Sequence, residues 1–475
     1  MWFGANPRGR RPCTTAIQNA INVGVGVEFP EGIFVTSEIT IPRACAATKI
    51  SGSGFYLWAT ASSHDKGTVI KAERSGQHSL FTLEDGADNV TFADIRLDGD
   101  DKSSMCVDGS FGTFLTMENV GVYGSEEFGV FSRQGLGRYT RCYFRNNGVG
   151  LHLHADSSVE SCEFTGGTEP LIIAAGGCRL SNIWSHNGSV SCLTLTPIDD
   201  DKPHINTSLV NLYCGETVST RGNAPIILIQ GTTAQKVQQV HLANSHFVCA
   251  SPPDKINTVL QIYKAIDVTI ANLVVLGNSP ATSKLHLAHV IVASQVSNLN
   301  VLGGVFRNVA LNPIVLKQEC WNVTINGVQF SEFATRARNG STKAAAVLIT
   351  DNLNYGQILN CSFDAPSDSV VPYPIEGGDA HKWLVGSNLV RLKSNKYWQP
   401  SVGEPSGSYQ RMGEPYLNHG ALRITDPSWN ALQPAAGTAF ALGRYSLWVD
   451  ANGRLRIKDG APAFDEDGTI VGTQS

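Results

Sequence analysis

The fold is decided by a short pattern whose first clear copy is Val90-Thr-Phe-Ala-Asp-Ile-Arg-Leu97. Apolar residues alternate on either side of Asp94, and alternation of period two predicts strands with one buried face. Asp tolerates a left-handed φ, which predicts a sharp corner between the two strands. The pattern returns in Leu115–Val122, with Asn119 at the corner, and in Val159–Phe164, with Ser161 there. Because one such unit cannot bury its own apolar face, the repetition predicts stacked coils.

The corner position can be followed along most of the chain. Its copies are Asp94, Asn119, Arg141, Ser161, Asn182, Asn211, Asn244, Asn272, Gly303, Gly327 and Asn360. The intervals between them lie between 20 and 33 residues. The shorter intervals fit one coil of a parallel β-solenoid, and the longer ones predict inserted loops at 188–208, 217–235, 250–262 and 367–381, where binding usually occurs. A β-sandwich with frequent turns is the alternative.

Length and composition agree with a solenoid. A chain of 475 residues would ordinarily form several domains, but a solenoid grows along one axis, and 47 glycines suit a protein rich in turns. With a net charge of −5, the chain has no excess of basic residues of the kind that binds nucleic acid. No apolar stretch is long enough to span a membrane, and Met1–Arg11 lacks the apolar core of a signal peptide. We therefore expect a soluble protein without nucleic-acid binding or membrane insertion.

Cysteine usage predicts buried thiols. The chain has eleven cysteines, and Cys142, Cys162 and Cys361 share one inward position after the corner. This predicts a stack of small buried side chains without disulfides. Since the chain has no Cys-x-x-Cys pair and no zinc-like His/Cys spacing, we expect no metal and no cofactor.

Four regions follow from the pattern. Residues 1–60 are predicted to form an N-terminal cap, in which Thr14 and Thr15 can cap a short helix with Ile17, Ala20 and Ile21 on one face. Residues 61–398 form the β-helix with its loops, and the Pro, Gly and Ser content of 399–413 indicates a linker. In 414–475, Tyr445–Val449 and Arg454–Lys458 flank an Asn-Gly turn, which predicts a hairpin in a small β module.

The two ends of the chain resemble a known family. Trp2–Ala5, Thr15–Ile21 and Val27–Phe34 resemble the opening of pectate-lyase-like right-handed parallel β-helices, in particular the tailspike depolymerases of bacteriophages. Asn6–Cys13 departs from the Asp-rich segment usual there. Residues 445–475 resemble the C-terminal end of phage tailspikes. In that family this end is a small β module that helps to hold three subunits together, so the resemblance implies an all-β fold and a homotrimer.

The residue between the two apolar positions after each corner points outward. Reading successive repeats gives Arg96 and Gly121, then Tyr143, Glu163, Trp184, Tyr213 and His246, and then Val274 and Val305. With coils about 4.8 Å apart, the five side chains from Tyr143 to His246 are predicted to form one ladder. Aromatic rings stack on the C–H faces of sugars and a carboxylate bonds their hydroxyls, so the ladder predicts a glycan-binding surface. The alternative is that the aromatic residues pack under a loop or against a neighbouring subunit.

Candidate catalytic groups surround this ladder. Hydrolysis of a glycosidic bond usually needs two carboxyl groups, about 5 to 9.5 Å apart. Glu163 is the first choice, and the candidates for its partner are Glu126, Glu127, Glu169, Glu216 and Asp200 of the Asp199–Asp201 loop. The alternative for each Asp of that loop is simple solvation.

Basic residues near the same coils suggest further contacts with substrate. They are Arg145, His152, His154 and His186. These side chains are predicted to bind an acidic sugar, or to provide the base of a lyase that eliminates across a uronic acid. Ordinary surface histidines are the alternative.

Together, the pattern and the resemblance predict a phage tailspike. The expected function is binding and hydrolytic cleavage of a bacterial surface polysaccharide, either capsule or O-antigen. A β-eliminating lyase and a spike that binds without cutting are the alternatives. The expected partners are two further copies of the chain and phage tail or baseplate proteins. The expected location is the virion, acting at the outside of the bacterial cell.

Overall fold

The computed structural model describes residues 4–55, 66–167, 172–186, 191–197, 204–215, 224–249, 258–277, 287–333, 345–364, 374–379, 381–386, 388–391, 398–399, 401, 440–442, 445–449, 454–459 and 468–471. The chain forms two compact units, Met1–Val402 and Gly403–Ser475. The boundary between them falls within the stretch 399–413, whose composition indicates a linker.

The first unit is built almost entirely from strands. Apart from one helix, α1 (Thr14–Asn22), and one 3-10 turn (Arg43–Cys45), the regular structure of its described residues is all β. The strands up to Ser132 are β1 (Arg8–Pro12), β2 (Val27–Glu28), β3 (Gly32–Thr36), β4 (Ile39–Ile41), β5 (Lys49–Ser51), β6 (Thr68–Ala72), β7 (Gln77–Leu83), β8 (Thr91–Gly109) and β9 (Thr116–Ser132). Those up to Cys249 are β10 (Arg138–Thr140), β11 (Tyr143–Arg145), β12 (Val149–Leu153), β13 (Ser158–Glu160), β14 (Glu163–Thr165), β15 (Ile172–Ala174), β16 (Arg179–His186), β17 (Leu193–Leu195), β18 (His204–Gly215), β19 (Ile227–Gln230), β20 (Val237–Ala243) and β21 (His246–Cys249). The remainder are β22 (Thr258–Gly277), β23 (His289–Val309), β24 (Ile314–Leu316), β25 (Val323–Asn326), β26 (Gln329–Phe333), β27 (Val347–Ile349), β28 (Gly356–Leu359), β29 (Ser362–Asp364), β30 (Ile375–Gly377), β31 (Trp383–Gly386), β32 (Leu389–Arg391) and β33 (Trp398–Gln399).

Each coil contributes one strand to each of three parallel sheets. In one coil these strands are β10, β11 and β12, and we call the sheets that contain them the first, second and third sheet. The strands β10, β11 and β12 pair in parallel with β13, β14 and β15 of the next coil. This stacking is a parallel β-helix, and it confirms the predicted fold.

The third strand of each coil was not predicted. The ranges 188–208, 217–235, 250–262 and 367–381 were expected to be loop insertions, but they include β17, β19, the start of β22 and β30, all in the third sheet. These strands are short apolar runs without the corner residue on which the sequence reading relied. The expectation that these ranges are wholly loops was therefore wrong, although parts of them lie outside the described residues.

The corners are as predicted. All eleven corner residues, including nine that are not glycine, have φ between +50° and +71°. Amide side chains stack along this edge, where Asn211 Nδ2 donates to Asn182 Oδ1 at 3.0 Å and Asn272 Nδ2 donates to Asn244 Oδ1 at 3.1 Å. Hydrogen bonds between coils offset the cost of the left-handed backbone.

The core lies inside the coil. Inward residues of the second sheet stack from coil to coil, with the rings of Phe144 and Phe164 parallel at 4.6 Å and those of Phe330 and Phe363 at 5.0 Å. Ten of the eleven cysteines are buried free thiols, which confirms the predicted absence of disulfides for the described cysteine side chains.

Helix α1 buries Ile17, Ala20 and Ile21, the predicted apolar face. The expected cap by threonine was wrong, since Cys13 is the N-cap residue and no side chain bonds the first turn. The hydroxyl of Thr14 instead accepts a hydrogen bond from the backbone of Ser37 at 2.9 Å. That the helix closes the end of the solenoid stays a prediction.

The second unit contains a small antiparallel sheet of β34 (Phe440–Leu442), β35 (Tyr445–Val449), β36 (Leu455–Asp459) and β37 (Thr469–Ile470). The pairing of β35 with β36 is the predicted hairpin. Its turn lies outside the described residues. In the part of the chain that the structure describes, no helix has the length and apolar character needed to cross a bilayer.

Candidate functional site

The outer face of the second sheet carries the predicted ladder. Parallel pairing places its residues at one register position on successive coils, in the order Arg96, Gly121, Tyr143, Glu163, Trp184, Tyr213, His246, Val274 and Val305. We call this series the first outer column. The register is the one that the corner pattern predicts.

A second outer column runs two residues further along each strand. Its members, in coil order, are Lys71, Asp98, Tyr123, Arg145, Thr165 and His186. The sequence reading singled out only Arg145 and His186 from this column. The signal for the others was available, because residues i and i+2 of a strand point to the same face.

The best exposed aromatic group of this face is centred on Trp184, whose side chain is 55% exposed. Its ring lies 5.5 Å from the ring of Tyr213, which lies 5.7 Å from His246 on the following coil. The ring of His186 lies 5.9 Å from both Trp184 and Tyr213. We call these four residues the aromatic step. Its rings span three adjacent coils, as a platform for a chain of sugars requires.

Glu163 borders the aromatic step. It pairs in register with Trp184 on one side and with Tyr143 on the other, and it is partly exposed. Thr165, two residues later, donates a hydrogen bond from its hydroxyl to Glu163 Oε1 at 3.5 Å. A partly solvated carboxyl group beside a stacking platform can exchange protons with a bound glycan.

Tyr143 is not part of the exposed surface. Its side chain is only 1% exposed, and its ring lies 5.6 Å from that of Tyr123 in the second outer column. The reason is Gly121, since a Cβ there would lie 2.8 Å from the Tyr123 ring and 3.0 Å from that of Phe55. The missing side chain leaves room for both rings, and the Tyr123 ring covers Tyr143. Its predicted role as a stacking platform for substrate is therefore wrong.

His152 and His154 are on the right coil but on another face. His152 belongs to the third sheet, where it pairs with Phe131 and Ile173, and His154 directly follows that strand. The His152 ring stacks on Phe131 at 4.7 Å, and burial lowers its pKa to about 4. The structure therefore does not bring these histidines to Glu163, contrary to expectation.

The predicted partner carboxylates are only partly described. Glu126 and Glu127 are exposed and lie in β9, between Tyr123 of the second sheet and Phe128 of the third. Glu169, Asp200 and Glu216 lie outside the described residues, so their placement stays a prediction.

A cleft of about 330 Å³ lies beside the first outer column, at the start of the second outer column. Its lining includes Lys71, Arg96, Asp98, Asp100, Asp101, Tyr123 and Arg145. Sequence reasoning named Arg145 as a candidate and placed Arg96 in the outward column, but it missed the other five. Three coils separate Asp98 from Glu163, or about 14 Å at the usual strand spacing. Because that exceeds the separation of a catalytic carboxyl pair, the cleft and Glu163 are neighbouring regions of one surface.

Ion pairs organise the acidic side of this cleft. Arg96 donates to the buried carboxylate of Asp98, and its guanidinium lies 4.1 Å from the centre of the Tyr123 ring. Asp100 accepts from Lys71 at 2.8 Å and from Lys102 at 2.5 Å. Burial acts to raise the pKa of Asp100, but the two lysines outweigh it and hold that pKa below its ordinary value. Asp100 is therefore a carboxylate near neutral pH.

Among the described residues, no group of three or more His, Cys, Asp or Glu side chains is arranged to hold a metal ion. The Asp199–Asp201 loop lies outside those residues. What the described face offers is an aromatic platform, a partly exposed carboxyl group and a charged cleft, all on one sheet.

Comparison with known proteins finds structures with a similar fold and a family model that matches the C-terminal end of the chain. Residues 429–473 match the family model described as capsule depolymerase, which agrees with the resemblance found for the C-terminal end. No curated protein matches the chain.

Solved structures share the fold. One is the pre-mature gene product 12 of bacteriophage phi29, with a TM-score of 0.60 and 16% identity over 82% of this chain and 56% of that chain. Another is the N-terminal fragment of that protein, with a TM-score of 0.56 and 17% identity over 82% of this chain and 71% of the fragment. The comparison also finds the catalytic unit of the thermostable GH87 alpha-1,3-glucanase from Streptomyces thermodiastaticus strain HF3-3, at a TM-score of only 0.49 and 13% identity over 85% of this chain and 69% of that chain. The chain thus spans little more than half the length of the pre-mature phage protein.

Proposed function

We propose that this chain is a phage depolymerase that binds and cleaves a bacterial surface polysaccharide, either capsule or O-antigen. The observation that carries the proposal is the register of Glu163 and Trp184, which puts a carboxyl group beside an exposed indole on adjacent coils. Extended glycans need a row of stacking surfaces, and their cleavage needs a proton donor at one point of that row. The match of residues 429–473 to the capsule depolymerase model supports the same substrate class.

Hydrolysis is the mechanism that we favour. Glu163 acts as general acid or base, and Thr165 holds one of its oxygens through the hydroxyl. A second carboxyl group, about 5 to 9.5 Å away, completes a hydrolase. Its candidates are Glu126, Glu127, Glu169, Glu216 and Asp200.

β-Elimination is the second candidate mechanism. It is favoured by the position of His186, whose ring lies 5.9 Å from both Trp184 and Tyr213. An imidazole within a stacking platform can remove the proton next to the carboxylate of a uronic acid. The same platform in a spike without catalysis would bind glycan and leave it intact.

The biological setting follows from the same lines of support. The chain would act from the virion at the bacterial surface, as part of a phage tail in contact with tail or baseplate proteins. We further propose a homotrimer held in part by residues 414–475, in which a neighbouring subunit covers the partly exposed Val274 and Val305 of the first outer column. Sedimentation of the intact chain tests this, with three copies per particle expected and a monomer at micromolar concentration contradicting it.

The test of the function is an analysis of products from surface polysaccharides incubated with the protein. Hydrolysis produces new reducing ends without ultraviolet absorbance, and elimination produces an unsaturated sugar that absorbs. Binding without either product identifies a receptor-binding spike. A protein that neither binds nor cleaves any capsule or O-antigen from the hosts of its phage would contradict the proposal.

A further inference from the structure

The cleft beside the ladder has features that the cleavage chemistry does not use. It is lined mainly by residues of the second-sheet strands on the coils that precede Glu163, and its volume is about 330 Å³. Within its walls, Asp98 is bound by Arg96, and Asp100 is bound by Lys71 and Lys102. These pairs account for most of the charge in the cleft.

Tyr123 places a buried donor in its wall. The residue is 5% exposed, and its hydroxyl has no hydrogen-bond partner among the described residues. Burial raises the pKa of this hydroxyl, so it keeps its proton over the whole physiological range. A buried hydroxyl without a partner costs free energy unless a ligand accepts its hydrogen bond.

Arg145 places a cation next to this hydroxyl. It lines the cleft, pairs in register with Tyr123 and is only half-buried. No carboxylate among the described residues forms an ion pair with its guanidinium, and that group has five donors that suit a planar anion. The remaining charged residue in the lining is Asp101. It is exposed at the surface and can accept hydrogen bonds from sugar hydroxyls.

We propose that Tyr123 and Arg145 form a subsite for the anionic substituent of a sugar, a carboxylate or a phosphate. This proposal rests on the proposed function, since it states that one sugar of the polysaccharide carries a negative charge. Arg145 pairs in register with Thr165, the residue that donates to Glu163. A glycan anchored by its anionic group at the cleft would therefore continue over Glu163 to the aromatic step.

The test uses monosaccharide probes on the intact protein. Binding of glucuronate, glucose 6-phosphate and glucose is measured by ligand-observed NMR up to about 10 mM, where millimolar affinities are readily seen. We expect one or both anionic probes to bind at least about 10-fold more tightly than glucose, because a charge-assisted bond is stronger than a neutral one. A preference for glucuronate identifies a uronate as the substituent, and a preference for glucose 6-phosphate identifies a phosphate.

Two variants and one matched control locate the binding. Arg145→Gln should lower the affinity for the preferred anionic probe about 10-fold or more, and Tyr123→Phe about 3- to 10-fold. Tyr123→Phe removes only a hydroxyl without a described partner, so it should leave the fold intact. Arg307→Gln is the control, because Arg307 continues the second outer column far from the cleft and is paired there with Glu332 at 3.0 Å. This variant should bind as the native protein does.

Three results would overturn the subsite. They are equal affinity for glucose, no binding of either anionic probe, and unchanged affinity in both Tyr123→Phe and Arg145→Gln. This failure is separable from that of the proposed function. If the native protein degrades a polysaccharide and Arg145→Gln degrades it with the same affinity and rate, the subsite is wrong while the depolymerase stands.

Discussion

Glu163 and Trp184 occupy the same register position on adjacent coils of the second sheet, so their backbones lie about one strand spacing apart. The two side chains leave the sheet in the same direction because both follow their corner residue by two positions. A carboxyl group and an exposed indole are thereby held together by the backbone alone. In the proposed function, the indole binds the glycan and the carboxyl group beside it takes part in cleavage.

Trp184→Ala tests the platform. The variant should bind the polysaccharide or its oligosaccharides about 5- to 10-fold more weakly, because a lost stacking surface is worth on the order of 1 kcal/mol or more. Isothermal titration calorimetry measures the change. Trp321→Ala is the matched control, since Trp321 is also well exposed, at 41%, but lies outside the two outer columns. Equal losses in the two variants would show that Trp184 has no special place in binding.

Gly121→Ala tests why Tyr143 is buried. A new Cβ would lie 2.8 Å from the Tyr123 ring and must displace it, so we expect a loss of about 1–3 kcal/mol in the free energy of unfolding. Displacement of the Tyr123 ring should also make Tyr143 accessible to dissolved quenchers of tyrosine fluorescence. Gly26→Ala is the control, because its nearest neighbour, a backbone oxygen, is 3.5 Å away. If both variants are as stable as the native protein, the position of the Tyr123 ring does not require a glycine at position 121.

Asn211→Leu tests the corner. Asn211 has a φ of +57° and donates to Asn182 at 3.0 Å, so leucine loses the hydrogen bond and strains the backbone. The free energy of unfolding should fall by roughly 1–3 kcal/mol, measured by denaturant titration. Asn211→Gly restores the freedom of φ without the bond and should recover part of the loss. A leucine variant more stable than the glycine variant would argue against a strained corner.

Two buried histidines predict the pH dependence of stability. Burial lowers the pKa of both His152 and His204 from 6.5 to about 4. His204 is hydrogen-bonded to the Thr207 hydroxyl at 2.7 Å and to the Thr196 carbonyl at 3.3 Å, and its burial outweighs the bond to that carbonyl, which acts to raise its pKa. The unfolded chain therefore binds more protons than the folded chain between about pH 4 and 6.5. The free energy of unfolding should therefore rise with pH across that window by up to roughly 3 kcal/mol per histidine. Acidification should remove the same amount.

Denaturant titrations at pH 4.5 and pH 7 measure this effect. A His204→Gln variant should show a smaller change between the two pH values, because glutamine does not titrate. His241→Gln, at an exposed position in β20, is the control and should keep the native dependence. A native protein that is equally stable at both pH values would contradict the prediction.

The sequence predicted the part of the fold that repeats. The corner residues and the alternation around them are local signals, so the register of Glu163, Trp184 and Tyr213 followed from counting. The third strand of each coil has no such marker, and strands such as Leu193–Leu195 were mistaken for parts of loops. Periodicity alone gives the direction in which a side chain leaves a strand. It does not give what covers that side chain.

The errors in the candidate site have the same origin. Tyr143 points outward as predicted but is covered by Tyr123, because Gly121, on the same strand as Tyr123 and paired with Tyr143, leaves the space empty. The cleft at Lys71 and Asp98 was missed because only one of the two outward positions of each strand was followed. Contacts between coils depend on which residues meet across 20 or more positions of sequence, and no local pattern encodes them.

The role of Glu163 in cleavage is measured by the release of reducing ends from the host polysaccharide by a Glu163→Gln variant. Glutamine keeps the shape and a hydrogen bond but removes the titratable proton, so turnover should fall by about 10²-fold or more while binding persists. Glu160→Gln is the matched control, since Glu160 is exposed on the same coil but belongs to the first sheet, and this variant should keep native activity. Full activity of Glu163→Gln on a polysaccharide that the native protein cleaves would show that Glu163 is not the catalytic acid or base.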